Sequence, residues 1–364
     1  MADRAEVAGA REVREEDAFD VAAVDAWLRG TVSTGSTGEW AWGDGMPEVR
    51  QFSGGASNLT YLLRYPATDL ILRRPPAGTK ARGAHDMGRE YRIQAALAPL
   101  FPYVAPMVGH CDDVSILGSE FYVMERVVGT IPGKELAAPL PPEQVRALCT
   151  NTLDLLVALH GVDPAAAGLD GLGKGEGYVE RQVAGWSARY RDARTDNVSD
   201  MEDVMAWLVA HQPPDRGSCL IHNDFRFDNV VFSDADPTRP IGLLDWELAT
   251  IGDPLMDLGC VLSYWIEAGD DEMWQLVRMQ PTNADGMLTR AEVVEHYCAA
   301  AGLAVTPAEW RFYEVYGVFR LAGIAQQIYY RFHHGQTTNP RFENFWVFVN
   351  MLGDRARSLM AATA

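Results

Sequence analysis

From Glu48 the chain runs in short apolar segments with polar neighbours, VRQFS, LTYLLRY and LILRR. They are broken by GGASN and by PATD, whose Pro66 and Asp69 suit turns. Such runs bounded by turn residues predict an antiparallel meander. AHDMGREYRIQAALAPL then spaces Met87, Tyr91, Ile93, Ala95, Leu97 and Leu100 as a helical stripe, closed by Pro99 and Pro102. Two further strands are expected in PMVGHCDD and SEFYVMERV. GTIPG follows and breaks the chain, which places a hinge between two lobes near Glu125 to Gly129.

Beyond Pro141 the apolar period changes. Val145, Leu148, Leu153, Leu156 and Leu159 mark one helix face, with Gly161 where a C-terminal cap belongs. The rest is mostly helical, except residues 220–247. There LIHNDF, NVVF and IGLLDWE are short apolar runs, and DADPTRP is expected to be a turn-rich hairpin loop. Before the first strand, DVAAVDAWLRG suggests a short helix, and residues 1–17 lack apolar periodicity. The expected organisation is a flexible arm (1–17), a β-rich N-lobe with one main helix (18–127) and a helical C-lobe (128–364), an α+β class.

Composition narrows the partners. The 364 residues are 48% hydrophobic and 22% charged, ordinary for a globular chain with two lobes. A net charge of −19 and a pI near 4.8 repel phosphodiester polymers and anionic membranes, so neither nucleic acid nor membrane is expected as a partner. The polar N-terminus lacks a signal-peptide profile and no apolar run approaches bilayer length, which predicts a cytoplasmic protein. The five cysteines show no CxxC spacing and are expected to be reduced core residues.

Chemistry concentrates in IHNDFRFDNVVF, residues 221–232. An Asp followed five positions later by an Asn, on a loop entering a strand, can aim a carboxylate at a hydroxyl and an amide oxygen at a metal. Asp245, in LLDWE, ends an apolar run across the expected hairpin. With Asn229 it can complete a Mg²⁺ site, since Mg²⁺ takes few protein oxygens plus phosphate and water. Asp253 is instead a natural N-cap, with Pro254 at the first helical position, and Asp228 a turn residue. SGGASN suits either a structural turn or a loop closing over phosphates through backbone N–H groups and the Ser57 hydroxyl.

HNDFRFDN followed by LLDWELATIGDPLMDLG resembles the catalytic and metal-binding segment of the aminoglycoside phosphotransferase and choline kinase family, relatives of protein kinases with a bilobal fold. FSGGASNLTYLLR, LILRRPP, AHDMGREYRI and FYVMERVVG together are similar to the kinase-like domains fused to some acyl-CoA dehydrogenases. The resemblance implies an ATP- and Mg²⁺-dependent kinase in which Asp224 is the catalytic base, with Asn229 and Asp245 holding the metal. It places Gly54, Gly55 and Ser57 over the phosphates, and Met124 to Val127, with Glu125, at the hinge whose backbone reads adenine. Arg73 stands where the family has a strand lysine for the phosphates, and Glu90 where a helix glutamate pairs with it. Arginine there keeps the charge and offers a bidentate fork. Arg74 is expected on the opposite strand face, as a solvated edge residue. His222 is expected to brace the loop and Asp257 to bond its backbone. Glu247, on the strand face of Asp245, has either a charge-balancing or a structural role.

The acceptor is expected to be a small-molecule hydroxyl. The basic and aromatic stretch YYRFHHGQTTNPRF, residues 329–342, suits either an anionic substrate or packing on the last helix. A choline-type substrate would need an aromatic cage, to which Trp246, Tyr264 and Trp265 could contribute if they are not core. A hydroxyacyl-CoA-like acceptor, an aminoglycoside or choline-type acceptor, and a nucleotide-binding pseudokinase or regulatory module all stay open at this point, as does the oligomeric state.

Overall fold

The computed structural model describes residues 7–32, 42–52, 58–76 and 86–362. Gly54, Gly55 and Ser57 lie outside the described residues. The chain divides into two compact units, Met1–Val128 with Gly242–Glu247, and Gly129–Ile241 with Leu248–Ala364.

The first unit is built on strands β1 (Ala10–Arg11), β2 (Glu48–Phe52), β3 (Leu59–Arg64), β4 (Asp69–Arg74), β5 (Met107–Cys111) and β6 (Phe121–Glu125). They form one sheet in the order β1-β2-β3-β4-β6-β5, with every pairing antiparallel. Alternation along the strands sorts the core onto two faces. Tyr61, Leu63, Leu72, Phe121 and Val123 join α1 (Val21–Thr31) on one. Leu62, Ile71, Tyr122 and Met124 join Met87 of α2 (Met87–Leu97) on the other, and the short α3 (Val114–Leu117) adds Leu117 to the first. The side chain of Asp86 caps α2 by accepting from the Arg89 N–H. The helix ends at Leu97 with Ala98 as its cap, and Pro99, which has no N–H, cannot donate the next helical hydrogen bond.

Part of the expected arm belongs to the sheet instead. Ala10 and Arg11 pair with Phe52 and Gln51, and a 3₁₀ turn follows at Glu15–Asp17. Asp17 is buried, accepting from Gln51 Nε2 at 2.8 Å and, on its carbonyl, from Tyr61 Oη at 2.9 Å and Arg74 Nη2 at 2.6 Å. These residues are held by polar contacts and edge pairing, which leave no apolar period in the sequence. Arg74 does point away from Arg73, but it is not a solvated edge residue. It also donates to Tyr61 Oη and lies 5.3 Å from the Tyr61 ring.

The second unit is mostly helical: α4 (Pro142–His160), α5 (Tyr178–Ala193), α6 (Glu202–Ala210), α7 (Pro254–Ser263), α8 (Glu272–Val277), α9 (Arg290–Ala301), α10 (Pro307–His333) and α11 (Phe345–Ala361). Its strands are short. β7 (Cys219–Ile221) pairs with β10 (Thr250–Gly252), and β8 (Val230–Ser233) pairs with β9 (Asp236–Leu243). DADPTRP is therefore not a loop, because all but Asp234 and Ala235 lies in β9. Pro237 and Pro240 are tolerated because a two-stranded ribbon leaves each strand one edge without a ladder to break. β9 ends at Leu243, and Trp246–Leu248 form a 3₁₀ turn, so Glu247 does not share a strand face with Asp245.

Every residue of α7 is buried. The side chain of Asp253 caps it, as expected, accepting from Leu255 N and Met256 N. α10 starts with a capping box of Thr306 and Glu309. The two helices meet through glycines: a Cβ at Gly317 would fall inside contact distance of the Gly259 carbonyl, and one at Gly259 would lie 2.5 Å from the Tyr313 carbonyl oxygen. Gly317→Ala should therefore destabilise the protein by about 1–3 kcal/mol through overpacking. Gly30→Ala, in an exposed turn of α1 with nothing within 4 Å, should be neutral or stabilising by up to about 1 kcal/mol. Urea unfolding of the two variants checks the contrast.

Candidate active site

In the first unit, strand alternation puts Arg73 on the face of β4 that meets α2, opposite Tyr122 in the β4–β6 register. Arg73 Nη1 donates to Glu90 Oε1 and, at 3.3 Å, to Tyr122 Oη, while Nη2 reaches Asp245 Oδ1 at 3.1 Å. Tyr122 Oη donates to Glu90 Oε1 at 2.8 Å and accepts from Gln94 Nε2. Glu90 is only 1% exposed. Burial opposes the Arg73 charge, but Tyr122, Glu90 and Asp245 outweigh it and raise the guanidinium pKa well above its ordinary value. Arg73 is thus a permanent cation held between two carboxylates.

Asp245 sits in left-handed backbone geometry with φ +65°, unusual for a residue with a side chain. The segment around it is pinned. Leu243 N donates to Tyr103 O at 2.7 Å, and the Trp246 ring is fully buried with Nε1 on Leu243 O. Glu247 serves structure, taking Asn58 Nδ2 on its carboxylate and Arg89 Nη1 on its carbonyl. At the end of β6, Glu125 N donates to Pro106 O and Arg126 N to Asp69 O. Val127 N–H has no backbone acceptor among the described residues.

In the second unit, β7 delivers His222, Asn223 and Asp224. Asp257, fully buried on α7, accepts from His222 N at 2.8 Å and Asn223 N at 2.9 Å, and lies 3.1 Å from His160 Nε2. Burial would raise the Asp257 pKa, but His160, His222 and the backbone donor bring it below the ordinary value. His160 Nδ1 lies 2.6 Å from Tyr297 Oη, which links α4, α9 and α7. Asn223 takes φ +64°, and its carbonyl accepts from Arg320 Nη2 at 2.9 Å. Asp224 N donates to His222 Nδ1, so His222 braces the loop from inside.

Asp224 is held but reachable, its side chain 19% exposed. Asn229 Nδ2 donates to the Asp224 carbonyl at 2.8 Å and to Oδ2 at 3.3 Å, while Arg226 Nε stands 3.5 Å from Oδ1. Arg226 also pairs with Asp228 at 3.1 Å and lies 5.0 Å from the Tyr264 ring. Phe227 N donates to Gln280 Oε1 at 2.8 Å. His160, Gln280, Arg226 and Arg320 support this loop without having been picked out from sequence. Only the Arg in DFRFDN offered a local cue, because the others act across long sequence separations.

Among the described residues no cluster of three His, Cys, Asp or Glu side chains could hold a metal by itself. With its amide nitrogen committed to Asp224, Asn229 has Oδ1 without a hydrogen bond among those residues, and Asp245 has Oδ2. Single hard oxygens of this kind suit Mg²⁺, which completes its shell with phosphate and water. Trp246 and Trp265 are core residues, the latter bonding Leu288 O. Residues 329–342 are the end of α10 and a following turn, with the Tyr330 and His334 rings 4.2 Å apart at a tilt of 52° and Arg331 and Arg341 exposed. Four cysteines are buried and Cys219 partly so, all unpaired, and no described helix is long and apolar enough to cross a membrane.

A sequence model of the phosphotransferase enzyme family, APH, matches residues 48–313. Acyl-CoA dehydrogenase family member 10 of Mus musculus is 34% identical over 98% of this chain and 34% of its own length. Family member 11 of Homo sapiens is 33% identical over 94% of this chain and 43% of its own. The chain thus spans less than half the length of these curated relatives. A crystal structure from Ralstonia eutropha, provisionally named an aminoglycoside phosphotransferase, superposes with a TM-score of 0.77 at 29% identity, covering 94% of this chain and 98% of that one. The GDP and kanamycin complex of APH(2″)-IIIa gives a TM-score of 0.57 at 14% identity over 85% and 93%, a likeness of fold. The expected bilobal, kinase-like α+β fold is the one observed.

Removing the Asp257 carboxylate strands two backbone donors and His160 in the core. Asp257→Ala should cost about 3–5 kcal/mol, read by denaturant unfolding. The folded-state pKa of Asp257 is depressed, so its stabilisation is complete above the unfolded value near 3.9 and is lost as pH falls through the folded value. Stability measured from about pH 5 downward should fall more steeply in the wild type than in Asp257→Asn.

Proposed function

Because the chain belongs to the phosphotransferase enzyme family, we propose that it transfers the γ-phosphoryl group of ATP to a hydroxyl of a small molecule, with Asp224 as the base. The observation that carries this reading is the posture of Asp224: a partly exposed carboxylate fixed by Asn229, on a loop clasped by Asp257. The acceptor hydroxyl gives its proton to Asp224 as its oxygen bonds to phosphorus, and the bond to the β-phosphate oxygen breaks to release ADP. Asn229 Oδ1 and Asp245 Oδ2 are the oxygens that would hold Mg²⁺, which neutralises phosphate charge when bound. Arg73 turns its fork from Asp245 to the α- and β-phosphates while Glu90 and Tyr122 keep hold of its other nitrogen. Val127 and Glu125 would present backbone to adenine, and the sequence motif of Gly54, Gly55 and Ser57 is the one that would cover the phosphates.

The surroundings of Asp224 favour an anionic acceptor over a cationic one. Arg226, 20% exposed beside Asp224, is the cation that would exchange its contact with Asp228 for an anionic group, whereas an aminoglycoside or choline pocket needs clustered carboxylates or an aromatic cage. A hydroxyacyl-CoA-like metabolite fits this charge, and the acyl-CoA dehydrogenase names of the relatives agree with it. A purely nucleotide-binding regulatory module would have no use for so firmly held a base.

The test is a screen of hydroxyacyl-CoAs, hydroxy acids, sugars, choline and aminoglycosides with ATP and Mg²⁺, read as a mass gain of one phosphoryl group. Transfer to a hydroxyacyl-CoA or another anionic alcohol, with aminoglycosides and choline unmodified, is the expected result. Transfer to the cations alone would contradict the acceptor class, and ATP binding with no transfer across the panel would favour the regulatory module.

A further inference from the structure

The helix that clasps the catalytic loop has a second polar environment behind it. At about 100° per residue, Gly259, Leu262 and Ser263 point some 140–240° away from Asp257 around α7. They line an open-mouthed cavity of about 610 Å³ walled by α8, α10 and α11, within the roughly 300–1,000 Å³ usual for small-ligand sites. Leu262, Val318, Met351 and Leu359 provide apolar wall, and Trp274 and Arg355 form a polar end.

Arg355 is the unbalanced group. Its side chain is 15% exposed, its guanidinium lies 4.6 Å from the centre of the Trp274 ring, and it makes no hydrogen bond among the described residues. The nearest carboxylate oxygen, Asp270 Oδ2 at 3.9 Å, is already engaged by Arg290 Nη1 at 2.6 Å, and Oδ1 by Nη2 at 3.0 Å. Burial and the like charge of Arg290 push the Arg355 pKa below its ordinary value. The other acids of the wall have their own tasks. Asp271 caps α8 through Trp274 N, Glu314 is hydrogen-bonded by Trp310, and Asp354 is exposed and pairs with Arg357. A largely buried guanidinium with donors to spare, lying over an indole beside the apolar wall, can take a planar oxyanion.

We propose that this cavity is a binding site for a small organic anion, a carboxylate or phosphate monoester with an apolar body. The oxyanion takes the fork of Arg355 and the body packs between Trp274 and the aliphatic wall. The site lies across α7 from Asp224 and does not depend on the phosphoryl acceptor proposed above.

Calorimetry and thermal melts of the full chain with hexanoate and hexyl phosphate, against hexylammonium and hexanol, test it. At least one of the two anions should bind with one-to-one stoichiometry and raise Tm, the tighter headgroup naming the source, while the cation and the alcohol should not bind. Arg355→Met should weaken that binding at least tenfold. Leu359→Trp, which fills the cavity and leaves the charge in place, should also abolish it, and stands as the test if Arg355→Met does not fold. No binding of either anion, equal binding of hexylammonium, or undiminished affinity in a folded variant would overturn the proposal.

Discussion

The carboxylate of Asp257 is the interaction on which the loop that carries Asp224 depends. A buried charge is costly unless fully engaged, and this one is met by two consecutive backbone N–H groups and by His160. The bonds fix His222 and Asn223, the latter in left-handed geometry, and so set the direction in which Asp224 leaves the strand. α7 itself is fixed at its start by Asp253 and across its middle by the glycine contact with α10. The contact of His160 with Tyr297 carries the same constraint to α4 and α9. A carboxylate on a rigid helix, together with His222 and Asn229 of the loop itself, therefore keeps Asp224 in place.

The first unit meets a different demand of the proposed reaction, that of holding a cation for phosphate without losing it to its own acids. Arg73 has enough donors to engage Glu90, Tyr122 and Asp245 at once, which a lysine could do only as a point charge. Tyr122 and Gln94 fasten the Glu90 side, buried under α2, so the contact to the more exposed Asp245 is the one that can be exchanged for a ligand. The strained backbone at Asp245 and the pinned turn after it keep that carboxylate in reach.

Much of this was legible in the sequence, for identifiable reasons. Alternation in LILRR separates Arg73 from Arg74, Asp253 before Pro254 announces a capped helix, and the spacing of Asp224 and Asn229 gives a carboxylate and an amide that do meet. Other features failed where local pattern carries no information. Arg74 looked solvated because its partners, Asp17 and Tyr61, are remote in sequence. The 10–17 segment looked like an arm because polar bonds and edge pairing leave no apolar period. DADPTRP looked like a loop because prolines on a free ribbon edge mimic a turn. His160 and Gln280 gave no cue, each being a lone polar residue whose partner lies 97 or 53 positions away.

The central claim, that Asp224 is the base of a phosphoryl transfer, is tested most directly by separating binding from turnover in Asp224→Ala. With an acceptor in hand, ATP affinity by calorimetry should stay within about threefold of wild type, while kcat falls by at least the roughly hundredfold expected for a lost general base. Turnover at the wild-type rate in that variant would contradict the account.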